Sequence, residues 1–304
     1  MRPSKYPVQQ FCKHLKEGRI MHSSGTSTAY WLSCAVFGVL LGVSGYAGAA
    51  SDTAIPTQFS AQKVQGQEDR VAMEQTAGQT TGQVVDDAVD PDHIAQDPVA
   101  YLLALDTIRA YFWAGQIAYQ SNDPGTAGEM FEAPMVDVYV NLESFLNQQG
   151  ARPFGEALSE ASDAAFLEKS QGDMQAAIDT IFDSLTAAEQ VTPKSDRSPE
   201  DSQAEVLADL LVRAATQYNS AFEADGTDRT WLNGYGFYKA AQYRASVALP
   251  LLSQQKTEIH SAFLKAMEIL DQAYKSSARP VIAPIRQSSV TDAAQHAADL
   301  VGAH

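Results

Sequence analysis

Beyond Asp97, apolar residues recur at intervals of three and four with polar residues between them, so nearly every segment predicts an amphipathic helix. Leu102, Leu105, Ile108, Phe112, Gly115 and Tyr119 form one such face, opened by an Asp97-Pro98 cap and closed by "SNDPG" at 121–125. Phe131, Met135, Val138, Leu142 and Phe145 form the next, with Pro134 interrupting its start and an expected end near Gly150. A further helix is expected over about 153–169, and another, capped by Asp173, carries Met174, Ile178, Ile181 and Leu185. Long strand-like runs of β-branched residues are absent.

The stretch "VTPKSDRSPEDS" at 191–202 is polar and twice interrupted by proline, which predicts a linker. After it, Val206-Leu207, Leu210-Leu211, Ala214 and Tyr218 mark one helix face. Trp231, Tyr235, Tyr238, Ala245, Leu249 and Leu252 mark a second, and Ile259, Phe263, Met267, Leu270 and Tyr274 a third. The pattern implies an all-α fold, an antiparallel, up-and-down bundle of six or seven helices. A helix ending in Tyr119 or Tyr218, an Asp/Gly turn and a helix ending in "LNQQ" or "LSQQ" occur once in each part, which suggests two related halves. We therefore divide the helical region into half one at 98–190, the linker at 191–202, half two at 203–277, and a tail at 278–304 with a weak helix over about 290–301. The length suffices for a single bundle core or two adjoining small ones.

The first 97 residues read differently. Arg2, Lys5, Lys13, Lys16 and Arg19, opposed only by Glu17, precede an apolar core at 31–43 and the small-residue pattern Ala47-Gly48-Ala49. This is the pattern of a secretory signal, with cleavage expected before Ala50; the apolar run is short for a membrane span. It predicts a periplasmic or secreted protein with no stable membrane insertion after cleavage. Residues 50–97 are rich in Gln, Thr, Ala, Gly and Asp without a sustained period, which predicts a disordered linker. Its acidic end, Asp86 to Asp97 with His93, lacks the spacing of a calcium loop and reads as a solvated cap.

Charge and cysteine content narrow the chemistry. The chain has 21 basic and 37 acidic residues; residues 1–49 hold five and one of them, so the remainder carries 16 against 36, a net −20. Such a surface excludes a nucleic-acid role and favours cations. Both cysteines, Cys12 and Cys34, lie in the signal segment, so the mature chain has no disulfide, thiolate metal site or cysteine nucleophile. No Gly-x-Ser-x-Gly elbow, His-Glu-x-x-His or Glu-x-x-His pattern occurs, and the histidines beyond the signal are only His93, His260, His296 and His304. The aromatic runs "YFWAGQIAY" and "WLNGYGFYKAAQY" are the distinctive feature. They read as a packed core with close helix approach or a local kink at the glycines, or as an aromatic ligand pocket.

The stretch "LDTIRAYFWAGQIAYQSNDPGTAGEMFEAPMVDVYVNLESFLNQQGARPF" resembles an uncharacterised group of secreted, mainly proteobacterial helical proteins. "LLVRAATQYNSAFEADGTDRTWLNGYGFYKAAQYR" is similar to periplasmic helical domains associated with iron permeases and imelysin-like iron-uptake proteins. The resemblance covers about 98–250 and rests on Arg109, Gly115, Tyr119, Pro134, Tyr139, Tyr218, Asp225-Gly226 and Gly236-Phe237. It makes Pro134 a recurring feature of a helix start, implying a helix that begins near Glu132 with Phe131 as a hydrophobic staple. Where the relatives carry histidines this chain has Tyr111, Gln116, Met130 and Ala133, so imidazole ligation is lost. Oxygen ligands for a hard ferric ion would be Tyr111, Asp137 and Tyr139. The resulting expectation is a non-enzymatic periplasmic binding or scaffold protein without a cofactor, whose partner is a periplasmic protein. The alternative is iron binding and delivery through those three residues, with a metal cation as the partner.

Overall fold

The helical periodicity translates directly into structure. The computed structural model describes residues 90–252 and 256–303. The signal segment and most of the 50–97 linker lie outside the described residues. Among the described residues there is no strand, and the fold is all-α. Its helices are α1 (Pro91–Ile94), α2 (Pro98–Gln120), α3 (Pro124–Pro134), α4 (Val140–Gln148), α5 (Gly155–Phe166), α6 (Gln171–Ala188), α7 (Pro199–Ala221), α8 (Asp228–Leu252), α9 (Thr257–Ala273) and α10 (Gln287–Gly302). Among the described residues no helix is long and apolar enough to cross a membrane.

Local chemistry sets the boundaries. The Asp97 carboxylate accepts from the Val99 amide at 2.9 Å with Pro98 in the first turn, and Asp123 does the same for Thr126 at 3.1 Å ahead of Pro124. Each cap satisfies an amide that the helix leaves unpaired. Ser198 caps α7 through the Asp201 amide, 3.1 Å away. The cap of α6 is Ser170 rather than Asp173: the Ser170 hydroxyl accepts from the Asp173 amide at 3.1 Å and donates to the Asp173 carboxylate at 2.7 Å, a reciprocal pair three residues apart.

Three boundaries depart from the sequence reading. First, the helical body begins at Pro91, inside the expected linker, because α1 buries Ile94 completely. Second, no helix starts near Glu132. Pro134 is the last residue of α3, and the chain continues through a π-helical turn, Met135–Tyr139, into α4. A proline mid-helix removes one donor and crowds the preceding turn, and a widened turn absorbs that disruption without ending the run. Phe131 is therefore helical and buried, packed on Phe112 with ring centroids 4.8 Å apart. Third, the tail helix is no appendage. α10 buries Val290, Ala294, Ala297 and Val301 and packs against α7 and α9.

The two expected halves share one core rather than forming separate ones. α2 of the first part packs along α8 of the second, with Gly236 so close to the Ala110 carbonyl that a β-carbon there would collide with it. Pairing of 203 with 244 and of 218 with 231 makes α7 and α8 antiparallel; pairing of 238 with 271 and of 231 with 277 continues the alternation from α8 towards the end of α9. α10 runs back along α7, with Asn219 bonded to Thr291 at 2.6 Å.

Candidate functional site

The aromatic runs pack into the core, with Phe112, Tyr119, Trp231, Phe237 and Tyr238 buried and Tyr111, Trp113, Tyr235 and Tyr243 half-buried. Tyr218, Trp231 and Tyr274 are buried from α7, α8 and the end of α9, with ring centroids 4.8 to 5.9 Å apart, and Phe222 and Tyr238 extend the cluster. The polar tips of this cluster find partners within the chain, as burial demands, whereas the buried indole nitrogen of Trp113 in the first run has none among the described residues. Tyr274 donates to the Ala214 carbonyl at 2.7 Å, and the Trp231 indole donates to the Ser277 carbonyl at 3.0 Å. Tyr218 donates to the Ile285 carbonyl at 2.8 Å and accepts from the Ile285 amide at 3.0 Å. Tyr238 donates to the Asp271 carboxylate. In the first part, Tyr101 donates to the Ala188 carbonyl at 2.7 Å and Tyr119 to the Lys169 carbonyl. Burial pushes the hydroxyls of Tyr101, Tyr218, Tyr238 and Tyr274 above their ordinary pKa, so they are held as neutral donors.

A second buried centre is built from charge. Asp106 and Arg109 on α2 and Arg244 on α8 are at most 3% exposed, and Glu189, at the end of α6, is 15% exposed. Arg244 directs Nε to Asp106 Oδ2 at 2.7 Å, Nη1 to Gln203 Oε1 at 2.7 Å and Nη2 to Glu189 Oε1 at 3.2 Å. Arg109 Nη2 reaches the same Glu189 oxygen at 2.9 Å, and its guanidinium lies 3.9 Å from the centre of the Tyr243 ring. The Tyr243 hydroxyl completes the carboxylate's shell at 3.1 and 3.2 Å from its two oxygens. Two cations and two anions leave the cluster neutral. Burial alone would disfavour the Arg244 cation, but Asp106 and then Glu189 outweigh it and hold its pKa above the ordinary value. Arg109 Nε and Asp106 Oδ1 are 3.4 Å apart, close enough to attract but without an aligned hydrogen bond.

This cluster escaped the motif search, yet a signal was present. Asp106 and Arg109 are the only charged residues in 98–120, and they fall one turn apart among the apolar positions. Chemically the cluster is a fastening: its charges are turned on one another, and Glu189 at the C-terminal end of α6, where the helix dipole disfavours an anion, is offset by two guanidinium groups.

The three residues expected to ligate iron are distributed unequally. Tyr111 is half-buried on α2. Asp137 and Tyr139 sit two residues apart on the π-helical turn, but Asp137 is exposed while Tyr139 is buried. The Tyr139 oxygen accepts from the Phe154 amide at 2.9 Å, its ring packs on Phe154 at 4.7 Å, and burial raises its pKa. A phenolate ligand must shed its proton, which this setting opposes. Among the described residues, no group of three or more His, Cys, Asp or Glu side chains is placed to hold a metal ion.

An open groove of about 510 Å³ lies between α7 and α10, with Val99 at the start of α2 also in its lining. Ala208, Val212, Ala298 and Val301 line it together with the charged Glu205, Asp209 and Arg213. Asp209 pairs with Arg213 at 2.6 Å, and Glu205 pairs with Arg197. The sequence reading left this groove unmarked because it exists only once the tail helix has packed on α7. No protein-family model, no curated protein and no solved structure matches the chain.

Proposed function

We propose that the chain is a non-enzymatic binding or scaffold protein that works outside the cytoplasm and engages a polypeptide through the groove between α7 and α10. The observation that carries this reading is the contrast between the interior and the groove. The buried tyrosine hydroxyls and the charged core groups are bonded within the chain and closed to solvent, whereas the groove sets apolar side chains beside charged ones with access from solvent. Two packed helices with such a trough between them fit an apolar helix or an extended apolar segment. The N-terminal basic and apolar segment supports the location.

Site-specific photo-crosslinking tests it. A crosslinking residue at Ala298 in the groove is compared with one at Val136, which is 64% exposed on the π-helical turn. Adducts with a polypeptide are expected from position 298 and not from 136, in intact cells and in an extracytoplasmic extract. No adduct from 298, or equal adducts from both, removes the groove from the reading.

A further inference from the structure

Exposed apolar side chains gather at one end of the bundle. Among the described residues, the three most exposed large apolar side chains are Val281 at 99%, Ile282 at 80% and Leu167 at 68%, and Phe166 beside Leu167 is 48% exposed. The first pair lies between Pro280 and Pro284 in the segment joining α9 to α10, the second in the turn joining α5 to α6. Contacts link the two sites: the Phe166 ring lies against Gly128, the next residue, Glu129, pairs with Arg229, and Asp228 beside it bonds Arg279 at 2.7 Å, one residue before Pro280. Single exposed apolar residues are ordinary, but two separate turns that present them at the same end mark a contact surface.

Both turns are held in shape. Arg279 bonds the Ala221 carbonyl at 2.9 Å, the Trp231 indole bonds the Ser277 carbonyl at 3.0 Å, and Tyr218 grips both the amide and the carbonyl of Ile285. Prolines on each side of Val281 and Ile282 restrict the backbone further. The other turn is closed by the Lys169 amide on the Ala164 carbonyl and the Glu168 amide on the Ala165 carbonyl, both at 3.0 Å, with Glu168 at a left-handed φ of 50°. Pre-ordered protrusions lose little entropy on docking.

We propose that this end of the bundle docks onto the surface of a zwitterionic lipid bilayer, with Val281, Ile282 and Leu167 entering the boundary between headgroups and acyl chains. Shape selects a lipid over a folded partner. Each protrusion stands free on its own turn, and the exposed ion pairs of Glu129 with Arg229 and Asp228 with Arg279 lie between them. A protein would need two matching pockets with polar ground between, whereas a bilayer takes apolar tips at any spacing and receives the polar groups among its headgroups. Charge selects the headgroup. Lys275 and Arg286 flank the Val281 tip, but Glu223 and Asp225 stand in the turn between α7 and α8 at the same end, in a chain of net charge −16. Such a mixture gives no net attraction to an anionic surface. The contact is therefore apolar in origin, weak and reversible, and needs no spanning helix. It uses no residue of the groove and does not depend on the reading of that groove.

The test places an environment-sensitive fluorescent amino acid at position 281, 167 or 136 of the full chain and adds phosphatidylcholine vesicles, with or without phosphatidylglycerol. Position 136 controls for tethering by the N-terminal apolar segment: its neighbour Met135 contacts Ser159, about 10 Å along α5 from Phe166. Blue shifts are expected at 281 and 167 and not at 136, unchanged by phosphatidylglycerol or raised salt. Ile282→Asp, a change at an exposed site that should leave the circular dichroism intact, should weaken the vesicle titration read at position 167 by about tenfold. No shift at 281 and 167, equal shifts at all three positions, or a titration at 167 indifferent to Ile282→Asp overturns the proposal. A shift that requires phosphatidylglycerol and vanishes in salt overturns it in favour of an electrostatic contact. Polypeptide adducts from a photo-crosslinker at 281 without any vesicle shift overturn it in favour of a protein partner.

Discussion

The two buried centres join distant parts of the chain by opposite means. The charged centre ties α2 and the end of α6 to α8 through Asp106, Arg109, Glu189 and Arg244, and its groups are strong only as a set. The aromatic centre ties α7, α8 and the end of α9 through large apolar rings whose polar tips bond backbone carbonyls. An ion cluster tolerates the loss of a member badly, because the remaining charge stays buried and uncompensated. An aromatic cluster loses contact area and leaves a cavity, but no stranded charge. The first therefore specifies which helices meet, while the second supplies much of the apolar burial where they do.

The largest expected effect breaks the charged centre. Arg244→Leu should cost about 3–5 kcal/mol in urea unfolding, because buried Asp106 loses its hydrogen-bonded cation and keeps only the unaligned Arg109, 3.4 Å away. The double variant with Asp106→Leu should recover most of that loss. If the double variant is as unstable as the single, the cluster is not the coupled unit described above. Trimming the aromatic centre comes next: Trp231→Ala should cost about 3–4 kcal/mol through the cavity it opens. Tyr274→Phe in the same cluster should cost only about 1 kcal/mol, since it removes one hydrogen bond and leaves the ring in place. A Tyr274→Phe loss equal to that of Trp231→Ala would show that the hydroxyls, not the rings, hold this region.

The smallest effect is one of pH, and it separates the two centres without mutation. In the unfolded chain the tyrosines ionise near their ordinary value of 10.0, whereas burial raises Tyr101, Tyr218 and Tyr274 above it. Below that value both states keep the protons and the groups contribute no pH dependence. As pH rises through 10 the unfolded state sheds protons that the fold retains, so stability falls towards the folded values. The arginines keep their charge across that window. Tyrosinate absorbance should therefore rise together with loss of helical signal above pH 10. A full tyrosinate signal from an intact helical fold would contradict the burial of these hydroxyls.

How far the sequence reached can be judged residue by residue. The helices of α2 and α6–α9 were legible because their apolar faces are local, and Asp97-Pro98 marks the start of α2 from adjacent residues alone. The glycines of "WLNGYGFY" allowed close helix approach or a local kink, and Gly236 realises the first. Pro134 was misjudged because sequence gives a proline two outcomes, a helix start or a tolerated break. Which one occurs depends on the packing of Phe131 and Tyr139 on either side. The supposed ligand frame suffered similarly: Asp137 and Tyr139 are neighbours in sequence, but a widened turn sends one to solvent and the other to the core.

Composition and periodicity alone determined that this protein is helical, acidic and without cysteine beyond its first 49 residues, since those properties depend on residue identity and local spacing. Tertiary structure alone decided that Asp106 and Arg244, 138 residues apart, form a buried ion pair. It also decided that α10 completes a groove with α7, and that Val281 and Ile282 stand in water. These outcomes depend on which helix faces meet, and the choice is made by burial summed over the whole core rather than by any one segment.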